Sequence, residues 1–318
     1  MIRQHVTALS SVIALLAMVP AQATAQGATP KTPWGHPDLQ GTYTNKTTTP
    51  LQRPEDLADR EFLTAEEVAT REQAALARNA DLLQAAAQKT AAGGNVGAYN
   101  NFWLDGGTRP TGRTSLIFEP ANGRLPALTP AAERVRAAAR EARHEADTWD
   151  DLELNDRCLI WQAGPPMLPS AYNNNFMIMQ TPDYVAIQVE MIHDTRIIPL
   201  DGSAHLPDDV RQWMGDSRGH WEGNTLVVET TNFLRETSFT GSSANLHLLE
   251  RFRRVDADTL LYEFTVTDPL TFVGPWTAQI PMKKSDGALF EYACHEGNYS
   301  LFNILSGARY QERREGGR

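Results

Sequence analysis

Ionisable residues close an apolar stretch at Tyr184 to Arg196, Y-V-A-I-Q-V-E-M-I-H-D-T-R. Glu190, His193, Asp194 and Arg196 stand where a core strand carries Val or Leu, and a charge there is costly unless it is paired or used. A second stretch ends the same way. Ala288 to Cys294 runs into Cys294-His295-Glu296-Gly297-Asn298-Tyr299, again a His, a carboxylate and an amide after apolar sequence. General acid/base chemistry needs such a set: one His or Glu tuned by burial, a partner that orients it, and a donor that holds developing negative charge. The expected division of labour gives proton transfer to His193 or His295 and its orientation to Glu190 or Glu296. Arg196, with Asn173, Asn174 and Asn175, would grip a substrate oxygen. Asp194 and His247 are further candidates for substrate contact.

Each of these residues has a purely structural alternative. The Asn run can equally be a loop whose amides satisfy backbone groups. Alternation along Tyr184 to Glu190 puts Val185, Ile187 and Val189 on one face and Ala186, Gln188 and Glu190 on the other. Glu190 therefore enters a cavity if the polar face looks inward and is solvated if it looks outward. His247 shares a strand with Glu250 and Arg251, with His247 and Arg251 on one face and Glu250 on the other, so only one set can be interior. Asp268, before Pro269, belongs to a cavity rim or to a turn cap. Gly215-Asp216-Ser217-Arg218-Gly219 matches the G-x-S-x-G elbow of α/β-hydrolases. That elbow needs a strand before it and a helix after it, whereas here a helical segment precedes and a hairpin follows, so the expected reading is a Gly-bounded entry into a hairpin. No metal is expected, since H-x-H, H-E-x-x-H and carboxylate-rich calcium loops are all absent from the sequence.

The elements that must position these residues are mainly β. Candidate strands are Asn175 to Gln180, Tyr184 to Met191, Thr195 to Pro199, Ser217 to Trp221, Thr225 to Thr231, His247 to Val255, Thr259 to Thr267, Trp276 to Lys283 and Ala288 to Cys294. Short polar turns at Glu222-Gly223-Asn224, Asp256-Ala257-Asp258 and Ser285-Asp286-Gly287 imply antiparallel neighbours. The expected fold is an antiparallel up-and-down barrel or curled sheet of lipocalin-like type over residues 151–318, with an interior able to hold one small ligand. A two-sheet sandwich is the competing architecture.

Residues 26–150 read as an N-terminal arm and helical region. The Thr-, Pro- and Gly-rich stretch up to Pro54 looks like an extended surface arm anchored by Trp34. Thr64-Ala65-Glu66-Glu67 is a capping box, predicting a helix of about 25 residues that ends at Gly93-Gly94. A polar-aromatic patch lies at Tyr99 to Asp105 and a strand is expected at Thr114 to Phe118. Thr129-Pro130 starts a second, mostly solvated helix through Asp147.

Residues 1–25 read as a signal peptide, with Arg3, an apolar run from Val6 to Val19 and small-residue cleavage sites around Ala23. That run is shorter than the roughly 20 apolar residues of a membrane span, so no span is expected in the mature chain and the protein should be periplasmic or secreted. Lys and Arg number 29 against 39 Asp and Glu, a net charge of −10 without a basic cluster, which argues against a nucleic-acid partner. The two cysteines, Cys158 and Cys294, are expected to form a disulfide in an oxidising compartment, with two buried thiols as the alternative.

Several segments together resemble a widespread family of secreted bacterial proteins over nearly the whole mature chain. They are P-W-G-H-P-D-L-Q-G from Pro33, Y-N-N-N-F from Tyr172, E-M-I-H-D-T-R-I-I-P-L-D-G from Glu190, G-D-S-R-G-H-W-E-G-N-T-L-V-V-E-T from Gly215 and Y-A-C-H-E-G-N-Y from Tyr292. The resemblance implies secretion and a common fold, and brings no reaction, cofactor or catalytic assignment. The leading expectation is an exported enzyme, a lyase, isomerase or hydrolase, acting on a small organic molecule in a barrel cavity without metal or cofactor. The alternative is a lipocalin-type small-ligand-binding protein, and a third reading is a structural or partner-binding protein that uses the arm and the long helix.

Overall fold

A computed structural model describes residues 30–85, 104–141, 146–161, 164–237, 239 and 241–316. The expected signal peptide, the end of the first helix, residues 99–103 of the polar-aromatic patch and residues 142–145 of the second helix lie outside the described residues.

Ten antiparallel strands form one nearly closed, barrel-shaped sheet: β1 (Gly41–Thr44), β2 (Ile117–Glu119), β3 (Asn175–Gln180), β4 (Tyr184–Val189), β5 (Thr195–Pro199), β6 (Asp216–Glu222), β7 (Thr225–Thr231), β8 (His247–Arg254), β9 (Thr259–Thr267) and β10 (Trp276–Lys284). The order is β5-β4-β3-β1-β10-β9-β8-β7-β6, and β2 adds to β10 beside the start of that strand. Antiparallel meanders follow from the short polar turns, and the barrel expected from their spacing is the fold found. The helices are α1 (Ala65–Gln84), α2 (Pro130–Glu141) and α3 (Tyr299–Glu315).

The sequence reading needs four corrections, the first being that residues 207–214, expected as a helical segment before Gly215, form turns and a bridge from Gln212 to Phe233 and no helix. The N-terminal arm is not laid on the surface: its Gly41–Thr44 segment pairs with β3 on one side and β10 on the other, with Tyr43 wholly buried. A four-residue strand in a Thr- and Pro-rich stretch has too little alternation to show at the level of sequence. Ala288 to Cys294 forms no strand and leads into a turn at residues 294–297. Asn298 then caps α3, its side chain accepting from Leu301 N, a helix the sequence reading did not predict.

Inward-facing residues fill the barrel. Phe252, Tyr262, Phe264 and Trp276 are buried, and successive ring centroids in that order lie 4.9, 5.5 and 5.6 Å apart. The seam between β5 and β6 closes by packing, without a hydrogen-bonded ladder between these two ends of the strand order. Gly219 makes it possible, because a Cβ at that position would come within 2.8 Å of both Ile198 Cγ2 and Leu200 Cδ2.

The two ends of the barrel differ. Residues 181–183, 223–224 and 255–258 make short turns at one end, while 232–246, 268–275, the approach to β3 and the 3-10 turn Met191–His193 crowd the other. The non-glycine residues with positive φ, Cys158, Asn173, Ile192, His193 and Asn232, belong to this second end or to segments packed on it. Backbone in that region of φ/ψ space is costly, most of all for a β-branched residue such as Ile192, and such costs collect where loops carry function.

Candidate functional site

Glu190 ends up neither in the barrel cavity nor in solvent. β4 stops at Val189, Glu190 turns helical (φ −66°, ψ −41°), and its side chain is 2% exposed. One carboxylate oxygen accepts from Asn175 Nδ2 at 2.7 Å and from Asn175 N at 3.3 Å, and the other accepts from Phe290 N at 3.0 Å. Glu190 thus ties the end of β4 to the start of β3 and to the chain that leads to α3.

His193 reinforces the same junction. Its Nδ1 lies 3.2 Å from the Tyr292 carbonyl, and Tyr292 stacks on Tyr172 with centroids 6.5 Å apart. The disulfide Cys158–Cys294 fixes the chain just beyond, with Asn298 Nδ2 donating to the Asp156 carbonyl. The expected cross-link is present, and it holds the 150–171 segment against the residues before α3. Asp194 is partly buried, and burial pushes its carboxyl above the ordinary carboxylate range, opposed by the charge of His193.

The structure therefore brings Glu190, His193, Asp194 and Asn175 to one junction and places the other candidates elsewhere. Asn174 uses its side chain on backbone, accepting from Ser170 N and donating to the carbonyls of Asp105 and Ser170. Asn173 adopts left-handed backbone. His295 and Glu296 are exposed on the turn before α3. His247 is on the outer face of β8, bonded to Glu229, beside a His205–Asp216 contact of 2.8 Å. Ser217 lies inside β6 and bonds Thr230, as the hairpin reading requires. Asp268 caps a turn, accepting from Ser243 N and Thr271 N.

Arg196 points into the barrel and meets a residue that the sequence reading left undecided. Glu250, 0% exposed, receives Arg196 Nη1 at 2.5 Å and Nη2 at 3.1 Å. Tyr262 donates to the same carboxylate at 2.8 Å while its hydroxyl accepts from Met167 N at 3.1 Å. Burial first, and the Glu250 charge second, raise the Tyr262 phenol well above its ordinary value, so it remains a donor. Leu248 and Phe252 flank Glu250 on the inward face of β8, so of the two faces left open by the sequence the one carrying Glu250 is interior and the one carrying His247 and Arg251 is exterior.

Open space lies at the crowded end of the barrel. A cleft of about 780 Å³ is bounded by the 150–171 segment and by Glu236, Thr237 and Phe239. Leu152, Leu154, Ile160, Trp161 and Pro169 supply apolar wall. Phe239 connects the cleft to the barrel interior, stacking on Trp276 at 5.9 Å and meeting Phe264 edge-on at 6.5 Å. None of the candidate site residues named from the sequence lines this cleft. In the 150–171 segment the acidic residues end at Asp156 and prolines follow at Pro165, Pro166 and Pro169, so no helix or strand pattern in the sequence outlined the cleft.

Among the described residues, no group of three or more His, Cys, Asp and Glu side chains is arranged to hold a metal ion, and no helix is long and apolar enough to cross a membrane. Comparisons of the chain with protein-family models, curated proteins and solved structures gave no match.

Proposed function

We propose that this is an exported protein that binds a small organic molecule in the cleft at the barrel mouth. The observation that carries this reading is the cleft itself: about 780 Å³ with aromatic and aliphatic walls, within the range of small-molecule sites. It lies at the end of the barrel where long connections and costly backbone gather. Strongly polar groups expected to do chemistry are engaged in structural bonds, Glu190 with Asn175 and Phe290, Arg196 with Glu250. Export accords with the signal-peptide reading, with the resemblance to secreted bacterial proteins and with a disulfide. The test is titration with a neutral ring-bearing probe such as N-phenyl-naphthylamine, following its fluorescence. Binding that is lost in Trp161→Ala supports the reading, and no binding to the intact protein overturns it.

One observation favours a second reading, metal-free acid/base catalysis of lyase, isomerase or hydrolase type. Ile192 and His193 are held at φ 60° and 49° next to a carboxyl that burial keeps easier to protonate. In that case His193→Gln abolishes turnover of a substrate found by screening, and turnover that survives both His193→Gln and His295→Gln rules it out.

A further inference from the structure

One wall of the cleft has little regular structure of its own. Residues 146–161 hold a single 3-10 turn, Trp149–Asp151, and otherwise run as turns and bends, yet Leu152, Leu154, Asn155, Ile160 and Trp161 from this stretch line the cleft. The ties that hold the wall in place converge on one neighbour, the chain from Cys294 to Arg309. Cys158 is bonded to Cys294, Asn298 Nδ2 donates to the Asp156 carbonyl, and the Arg309 guanidinium donates to the carbonyls of Ala146 and Asp147. That neighbour is clipped to the barrel in turn, by Glu190 at Phe290 N and by His193 at the Tyr292 carbonyl. Midway along the wall, Cys158 is held at φ 56°. Left-handed backbone is costly for a residue with a side chain and persists where the surroundings impose it.

We propose that Cys158–Cys294 is a redox latch on the cleft wall, opened by a dithiol that attacks Cys294; its effect on ligand affinity rests on the binding reading above. The two sulfurs are not equivalent. Cys158 is 3% exposed, whereas Cys294 is half-buried on the approach to α3, so an incoming thiolate reaches Cys294. Cys158 Sγ accepts from Asn298 Nδ2 at 3.3 Å, a donor already in place for the charge that develops on a departing sulfur. Exchange is faster when the leaving thiolate is stabilised. The electron pair of the Sγ–Sγ bond leaves on Cys158, and a mixed disulfide forms between Cys294 and the reductant. The second thiol of the reductant then attacks the reductant's own sulfur in that mixed disulfide and releases Cys294. Two electrons and two protons pass from the dithiol to the two cysteines, and the dithiol ends as an internal disulfide. With the latch open the wall has noncovalent ties, and Cys158 can leave its left-handed backbone. The lining residues on either side of it, Leu154 and Asn155 before, Ile160 and Trp161 after, then lose their fixed place. The barrel keeps its own strand ladders. Apparent ligand affinity falls with the fraction of time that the wall is formed.

The experiment compares the full mature chain in its oxidised and dithiothreitol-reduced forms, with Cys158→Ser/Cys294→Ser as a form that needs no reductant. On reduction, amide exchange should quicken over residues 150–161 while β7, β8 and β9 keep their protection. N-phenyl-naphthylamine should bind the reduced form about fivefold or more weakly. Brief exposure to glutathione followed by peptide mapping should place the mixed disulfide on Cys294. Asn298→Ser keeps a capping oxygen for α3 and removes the donor to Cys158 Sγ, and it should slow reduction about threefold or more. Equal exchange over residues 150–161 in the two forms overturns the latch, as does loss of protection throughout the barrel. A mixed disulfide on Cys158, or an unchanged rate in Asn298→Ser, overturns the assigned course of attack. If neither form binds the probe, the binding reading falls, and exchange over residues 150–161 alone then upholds or overturns the latch.

Discussion

Arg196 of β5 and Glu250 of β8 form a two-pronged ion pair inside the barrel, joining strands that are not neighbours in the sheet. Tyr262 completes the carboxylate's bonding, and the Met167 amide completes the phenol's. Taking both charges out of water is expensive, and the pair balances that cost through close geometry and additional hydrogen bonds. Its structural effect is to pin β5, the strand at the open seam, to the far wall, and to hold the segment around Met167 in the mouth of the barrel.

Breaking this pair from one side should be far worse than removing it. Glu250→Leu or Arg196→Met alone strands a buried charge and should cost about 3–5 kcal/mol, whereas Arg196→Met with Glu250→Leu should cost much less than the sum. Urea unfolding of the two single variants and the double one gives the cycle. Additive losses would show that the two side chains act independently.

Glu190 should behave as a clamp. Glu190→Ala leaves the Phe290 amide and the Asn175 side chain without their acceptor, a loss of about 1–3 kcal/mol. The local signature is faster hydrogen exchange over residues 288–298 while the amides of β7 and β8 keep their protection. Unchanged exchange at Phe290 would mean that this amide does not depend on Glu190.

Much of the barrel is legible in sequence, because strand alternation and polar turns are local signals. Asn175–Gln180, Thr195–Pro199, Thr225–Thr231 and Thr259–Thr267 have the bounds read from residues alone. β1 and the cleft are not local. Gly41–Thr44 is a strand only because β3 and β10 lie on either side of it. Glu190 shows the limit most clearly. Alternation offered cavity or solvent, and a single helical φ/ψ pair after Val189 produced a third outcome, a carboxylate buried among backbone and amide donors. Arg196 was legible as a buried charge, but its partner Glu250 is remote in sequence, and only the closed sheet brings them together.

Asp194 gives a pH dependence with a definite sign. Burial raises its folded-state pKa above the ordinary value of 3.8, so the folded form holds its proton more tightly than the unfolded chain does. The stability this supplies is complete below pH 3.8 and is lost as pH rises through the raised folded-state value. Asp194→Asn removes that loss. Denaturant midpoints should favour the Asn variant at neutral pH and converge with the unaltered protein in acid. A gap that is constant across pH would assign the difference to contacts instead of titration.

Closure of the barrel at β5 and β6 rests on a hydrogen in place of a side chain. A methyl group at Gly219 would meet Ile198 Cγ2 and Leu200 Cδ2 at 2.8 Å, well inside contact distance, and neither side chain is a flexible surface group. Without a ladder between these strands, the seam has only packing to hold it, so the added methyl must push β5 outward. Gly219→Ala should cost about 1–3 kcal/mol, the usual range for overpacking a core. Leu200→Ala in the same chain removes one of the two colliding groups and should recover part of that loss, although it is destabilising on its own. The sign of this coupling distinguishes the cause: a favourable interaction between the two substitutions in thermal unfolding locates the strain at the seam. Simple additivity would show that β5 and β6 stand further apart in solution than Ile198 and Leu200 place them.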